Sequence, residues 1–111
     1  MNKTVIKMEK RIIKTEDAPV PVGPYSQGVV VGNLFFVSGQ GPMDPKTRKT
    51  VSGGISEQTR QVLENIGNIL KAAGLSLDNV VKVTVFLRDI KDFSEMNEVY
   101  KKYFKSNPPA R

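Results

Sequence analysis

The run Tyr25-Ser26-Gln27-Gly28-Val29-Val30-Val31-Gly32-Asn33-Leu34-Phe35-Phe36-Val37-Ser38 decides the fold. Two segments rich in Val and Phe flank Gly32-Asn33, and a two-residue connection of this kind signals a β-hairpin because both residues tolerate positive φ. The expectation is a pair of antiparallel strands over residues 25–31 and 34–38, buried on at least one face. Upstream, Arg11-Ile12-Ile13-Lys14-Thr15 reads as a first strand. Asp17-Ala18-Pro19-Val20-Pro21 follows, and its two prolines favour an extended loop.

Downstream, Gly39-Gln40-Gly41-Pro42 closes the hairpin, and residues 43–54 form a polar loop. Ile55, Val62, Leu63, Ile66, Leu70 and Ala73 recur at three-to-four spacing and predict a helix over 55–73, with Gly74 just past its end. Gly67 inside that helix costs up to about 1 kcal/mol against Ala and is expected to mark close packing. Residues 80–87 alternate, with Val81, Val83, Val85 and Leu87 on one side, and predict the clearest strand. Asp92-Phe93-Ser94-Glu95 resembles a capping box that opens a second helix. The apolar face of that helix is Phe93, Met96, Val99, Tyr100, Tyr103 and Phe104, and Asn107-Pro108-Pro109 ends it.

The order β-β-β-α-β-α is an α+β pattern, one sheet covered on one face by two helices. The other face then needs a cover, and copies of the same chain would supply it, so an oligomer is expected. At 111 residues the chain is one domain, read as an N-terminal extension over 1–9 and a single domain over 10–111.

Composition excludes much chemistry. With no cysteine and no histidine, disulfides, thiolate nucleophiles, Ser-His-Asp triads and nearly every zinc site are ruled out. No apolar run approaches the roughly 20 residues of a membrane span, and the basic opening lacks the features of a signal peptide. The expected location is the cytoplasm. The net charge of +6 reads as a lysine-rich solvated surface, since aromatics do not interleave with the basic residues as a nucleic-acid reader would have them.

Four residues are candidates for chemistry. Tyr25 follows a rigid Gly23-Pro24 turn, which suits a presented phenol or, more ordinarily, a packed ring at a strand start. Ser38 ends an apolar strand beside Gly39, where a ligand could approach the backbone or the strand could simply exit. Asn97 lies beside the apolar face of the second helix, as a ligand contact or as an exposed amide. Arg111 carries a fork that matches a carboxylate, although a lone arginine is ordinarily solvated.

Glu16-Asp17-Ala18-Pro19, Gly23-Pro24-Tyr25-Ser26-Gln27, Val37-Ser38-Gly39-Gln40, Asp44-Pro45-Lys46-Thr47, Glu57 to Ile66, Val81 to Leu87, Asp92-Phe93, Met96-Asn97-Glu98-Val99-Tyr100, Tyr103-Phe104 and Pro109-Ala110-Arg111 stand in one order. Together they resemble the RidA (YjgF) family from about Arg11 to the last residue. The resemblance implies a chorismate-mutase-like α+β fold and a homotrimer whose ligand clefts lie between subunits. It implies hydrolysis of 2-aminoacrylate, 2-aminocrotonate and their imines to 2-keto acids and ammonia, with no metal or organic cofactor. By the same resemblance Arg111 binds the substrate carboxylate, Tyr25 lines the cleft in a catalytic role, and Ser38 and Asn97 shape or contact the ligand site. The family usually continues past Pro-Ala-Arg with further strands, the last bearing a glutamate thought to orient water. The expectation is therefore a domain incomplete at its C-terminus, with weak or absent catalysis in the literal chain. Gly41 replaces a bulkier residue, and Arg48 stands where a turn glycine is common. A non-catalytic carboxylate-binding or regulatory trimer of the same fold is the alternative, and a ribonuclease or translation inhibitor ranks last.

Overall fold

The computed structural model describes residues 8–111. Strands β1 (Lys10–Ile13), β2 (Gly28–Val31) and β3 (Leu34–Val37) form an antiparallel sheet in the order β1-β2-β3. Helices α1 (Ile55–Ala72) and α2 (Phe93–Tyr103) follow, with short 3-10 turns at Leu77–Asn79 and Ile90–Asp92. This is the expected α+β class. Most of the expected extension over 1–9 lies outside the described residues. Among the described residues no helix is long and apolar enough to cross a membrane.

The hairpin turns at Gly32-Asn33, with Val31 paired to Leu34. Gly32 takes φ +57°, which a residue without a Cβ adopts at little steric cost. Its strands are shorter than the apolar pattern suggests, and Gln27 gives the reason. The Gln27 side chain accepts from the Thr15 N–H at 2.7 Å and donates to the Thr15 carbonyl at 3.0 Å. A side-chain amide thus takes the two groups that a backbone neighbour would pair, and the β1–β2 ladder stops at Ile13–Gly28.

Strand alternation sends Ile13, Val30, Phe35 and Val37 toward α1, where they meet Ile69 and Ala73. At Gly28 an added Cβ would sit 2.5 Å from the Phe35 ring and 3.2 Å from the Ile69 side chain. The missing side chain lets that ring lie over the strand. The opposite row leaves Ile12, Leu34 and Phe36 exposed. The expected uncovered sheet face is therefore present, and it is apolar.

Helix α1 begins at Gly54, whose N–H donates to Glu57 Oε2 at 2.9 Å. Gly54 has no side chain, so only this half of a capping box exists. At the other end Gly74 takes φ +79°. Its N–H reaches the Lys71 carbonyl and the Leu75 N–H reaches the Leu70 carbonyl, which is the Schellman pattern. Leu63 joins Met96, Tyr100 and Phe104 in a second cluster, packed by Ile55 and Ile66, so α1 is buried on two sides. Gly67 does not mark close packing among the described residues, because none of them lies within 4 Å of where its Cβ would be.

Two further expectations are corrected. Val83, Val85 and Leu87 pack on the α1–α2 cluster as the alternation suggests, but among the described residues 80–87 form no strand of the sheet. Among the described residues their backbone pairs only at an isolated parallel bridge between Lys82 and Ala110. Alternation in sequence fixes which side chains point inward, whereas a strand also needs a partner backbone. The Asp92 capping box is absent too: Asp92 has φ −82° and ψ −1° and makes no side-chain cap bond. Asp89 accepts from the Lys91 N–H at 2.9 Å, and the cap sits on the turn that feeds α2.

In the 43–50 loop, Asp44 Oδ1 accepts from the N–H groups of Lys46 (2.7 Å) and Thr47 (3.1 Å). These bonds, Thr47's first, hold the Asp44 carboxyl below its ordinary pKa. Arg48 closes the turn with φ +63°, in the region where a Cβ is strained. Arg48→Gly should raise unfolding free energy by about 0.5–1 kcal/mol, the released strain exceeding the entropy that glycine adds to the unfolded chain. Urea denaturation checks this, and an unchanged or lowered midpoint would show that the turn carries no such strain.

Candidate functional site

Tyr25 and Ser38 lie together where the hairpin strands leave the sheet. Ser38 donates from its backbone N–H to the Gln27 carbonyl at 2.9 Å and from Oγ to the Ser26 carbonyl. Its hydroxyl hydrogen is thus engaged with the opposite strand end, and lone pairs on Oγ remain to accept. Tyr25 is half exposed, and its phenolic oxygen accepts from the Val22 N–H at 3.3 Å. That leaves its own O–H free to donate.

Gln27 is buried beneath them. Besides its Thr15 bonds it donates to the carbonyls of Ala18 (3.2 Å) and Pro19 (2.9 Å), and so holds the loop leading to Tyr25. On α1, the fully buried Asn65 donates to the Met43 carbonyl at 2.9 Å and the Gly41 carbonyl at 3.4 Å and accepts from Gln61. Asn68 donates to the Asp17 carbonyl at 2.8 Å. Between the two held loops is a cavity of about 80 Å³ lined by Pro19, Val22, Tyr25, Gln27, Gln40 and Met43, among others. A larger, open depression of about 350 Å³ runs past Gly67, Lys71 and Leu75 and contains none of the four candidates.

Asn97 and Arg111 belong to a second locality. Pairing of Ala110 with Val81 and Val83 brings the last residue to α2. There the Arg111 guanidinium lies 4.5 Å from the Tyr100 ring centroid and 5.5 Å from that of Phe93. Helical spacing puts Asn97, half buried, between those two rings, four residues after Phe93 and three before Tyr100. Among the described residues no carboxylate or hydrogen-bond acceptor engages the guanidinium; the ion pair seen is Lys101–Glu98 on the surface. Burial raises the Tyr100 phenol above its ordinary pKa, and the Arg111 charge opposes part of that rise.

The four candidates therefore fall into two pairs, and no hydrogen bond or core cluster among the described residues joins the pairs. The sheet packs on α1 and α1 packs on α2. Sequence reasoning passed over Gln27, Asn65, Phe93 and Tyr100. Asn65 carried a usable signal, since an amide between Leu63 and Ile66 on an apolar stripe must find buried partners. Phe93 and Tyr100 looked like core only, and their contact with Arg111 depends on a residue far along the chain.

Gln27→Met keeps the side-chain volume but strips the hydrogen bonds from Thr15, Ala18 and Pro19. The expected cost is about 2–3 kcal/mol in a denaturation experiment, the scale of leaving buried polar groups unpaired. Amide exchange over 15–19 should quicken more than over α2. Equal protection in both proteins would mean that Gln27 is not the anchor.

Residues 15–111 match the family model described as Endoribonuclease L-PSP. A RutC family protein of Pyrococcus horikoshii is 59% identical over 102 residues, covering 92% of this chain and 81% of that protein. The human 2-iminobutanoate/2-iminopropanoate deaminase is 55% identical over 102 residues, covering 92% of this chain and 74% of its own length. The crystal structure of RidA from the Antarctic bacterium Psychrobacter sp. PAMC 21119 superimposes with a TM-score of 0.87 at 46% identity, covering 91% of this chain and 81% of that one. Sequence and three-dimensional likeness agree over the segments that hold both residue pairs, and the chain belongs to the RidA (YjgF) family.

Proposed function

We propose that this protein hydrolyses small 2-enamino and 2-imino acids, 2-aminoacrylate and 2-aminocrotonate among them, to 2-keto acids and ammonia. The observation that carries the reading is the Arg111 guanidinium, exposed and without an acidic partner among the described residues, next to Asn97 on α2. Such a fork takes a carboxylate in a bidentate grip and fixes the adjoining imine carbon. The identity to the human imine deaminase supports the same substrate class.

The chemistry balances with water alone. An enamine first takes a proton at its β carbon to give the protonated imine; water adds to the imine carbon and releases one proton, a second passes from the new hydroxyl to nitrogen, and ammonia leaves as the carbonyl forms. Tyr25 has a free O–H to donate, and Ser38 Oγ can accept from water or the departing nitrogen.

Because Tyr25 and Ser38 stand apart from Asn97 and Arg111, we propose that the site forms between chains in a homotrimer, one pair from each neighbour. The apolar outer row of Ile12, Leu34 and Phe36 supports this, since an uncovered apolar sheet face gains free energy from a partner.

Two measurements follow. With a dehydratase generating the enamine in place, the protein should speed keto-acid release over buffer, and Arg111→Ala should lower kcat/KM about 100-fold, the scale of a lost bidentate charge-assisted contact. If 2-ketobutyrate binds but release does not quicken, the protein is a carboxylate-binding module instead. In sedimentation the protein should weigh three chains, and Phe36→Glu should dissociate it and lower activity in parallel. An active monomer would refute the shared site.

A further inference from the structure

The Arg111 guanidinium rests on ring faces. Its carbon is 4.5 Å from the Tyr100 centroid and 5.5 Å from the Phe93 centroid, both within the range of a cation–π contact. Residues 93 and 100 are two helical turns apart on α2, so both rings leave the same side of the helix. A ring holds a planar cation through its π surface and leaves the in-plane N–H groups unengaged. An acidic partner would do the reverse, occupying the edge that a ligand needs.

The two rings differ in how they are held. Tyr100 is buried, tilted by 40° against Phe104 at 4.7 Å, and packed with Leu63 and Met96. Its hydroxyl makes no hydrogen bond among the described residues, so its contact with Arg111 is through the ring. Phe93 is 40% exposed and contributes little to either core cluster. The Ala110 bridge fixes the backbone just before Arg111, which leaves the arginine's own torsions for the rings to restrict.

We propose that Phe93 and Tyr100 are positioning residues that form an aromatic cradle for Arg111, holding the guanidinium flat so that its edge faces a small carboxylate. This rests on the reading of Arg111 as the carboxylate clamp. The cradle orients a residue with many rotamers before the ligand arrives, and it does so without a competing anion.

The test alters ring charge at nearly constant shape. Phe93 is replaced by tri- and pentafluorinated phenylalanine, which drain negative charge from the ring face. The dissociation constant for 2-ketobutyrate and the KM for the imine should rise stepwise, by about three- to fivefold across the series, with kcat within twofold. Phe93→Leu should show the same loss and Phe93→Tyr should restore affinity, while thermal unfolding midpoints stay level. A flat fluorination series with a neutral Phe93→Leu, alongside an Arg111→Ala that loses the ligand, overturns the cradle and leaves the clamp standing. An Arg111→Ala that keeps full affinity overturns both.

Discussion

One helix has to be buried on two sides. Ile69 and Ala73 of α1 pack on one face of the hairpin sheet, and Leu63 and Ile66 meet α2. Apolar burial is worth about 25 cal/mol per Å², so each contact draws the helix, and the two together fix it between sheet and second helix. Everything at the candidate site is placed by that arrangement. The sheet end carries Tyr25 and Ser38, α2 carries Asn97, Phe93 and Tyr100, and α1 spans the space between them.

Polar side chains then set the loops on this frame. Gln27 closes the β1–β2 ladder with its own amide and ties the 15–19 loop, while Asn65 ties residues 41 and 43 from the helix side. Buried amides are costly unless they are satisfied, and these two are satisfied by loop carbonyls. Their bonds hold the loops that line the small cavity at Tyr25. At α2 the contact is of another kind: the Arg111 guanidinium lies over the rings of Phe93 and Tyr100.

The outer surface of the sheet completes the picture. Ile12, Leu34 and Phe36 are exposed on one face of it. Isolated apolar residues on a surface are ordinary, but a row on one sheet face is a feature of association surfaces. The exposed row lies on the sheet face turned away from α1, opposite the side where Val30, Phe35 and Val37 meet Ile69.

The sequence alone determined the α+β class, the hairpin at Gly32-Asn33, both helices, the glycine that ends α1, the uncovered sheet face and the family. Each depends on local chemistry or on periodicity, which are written in neighbouring residues. Tertiary structure decided that among the described residues 80–87 form no ladder and a Cβ at Gly67 would meet nothing, that the cap belongs to Asp89 and not Asp92, and that Gln27 serves as a strand neighbour. It also placed Arg111 on the rings of α2. Those outcomes turn on which distant backbone or side chain comes within 3–6 Å, and no local pattern encodes a partner's position.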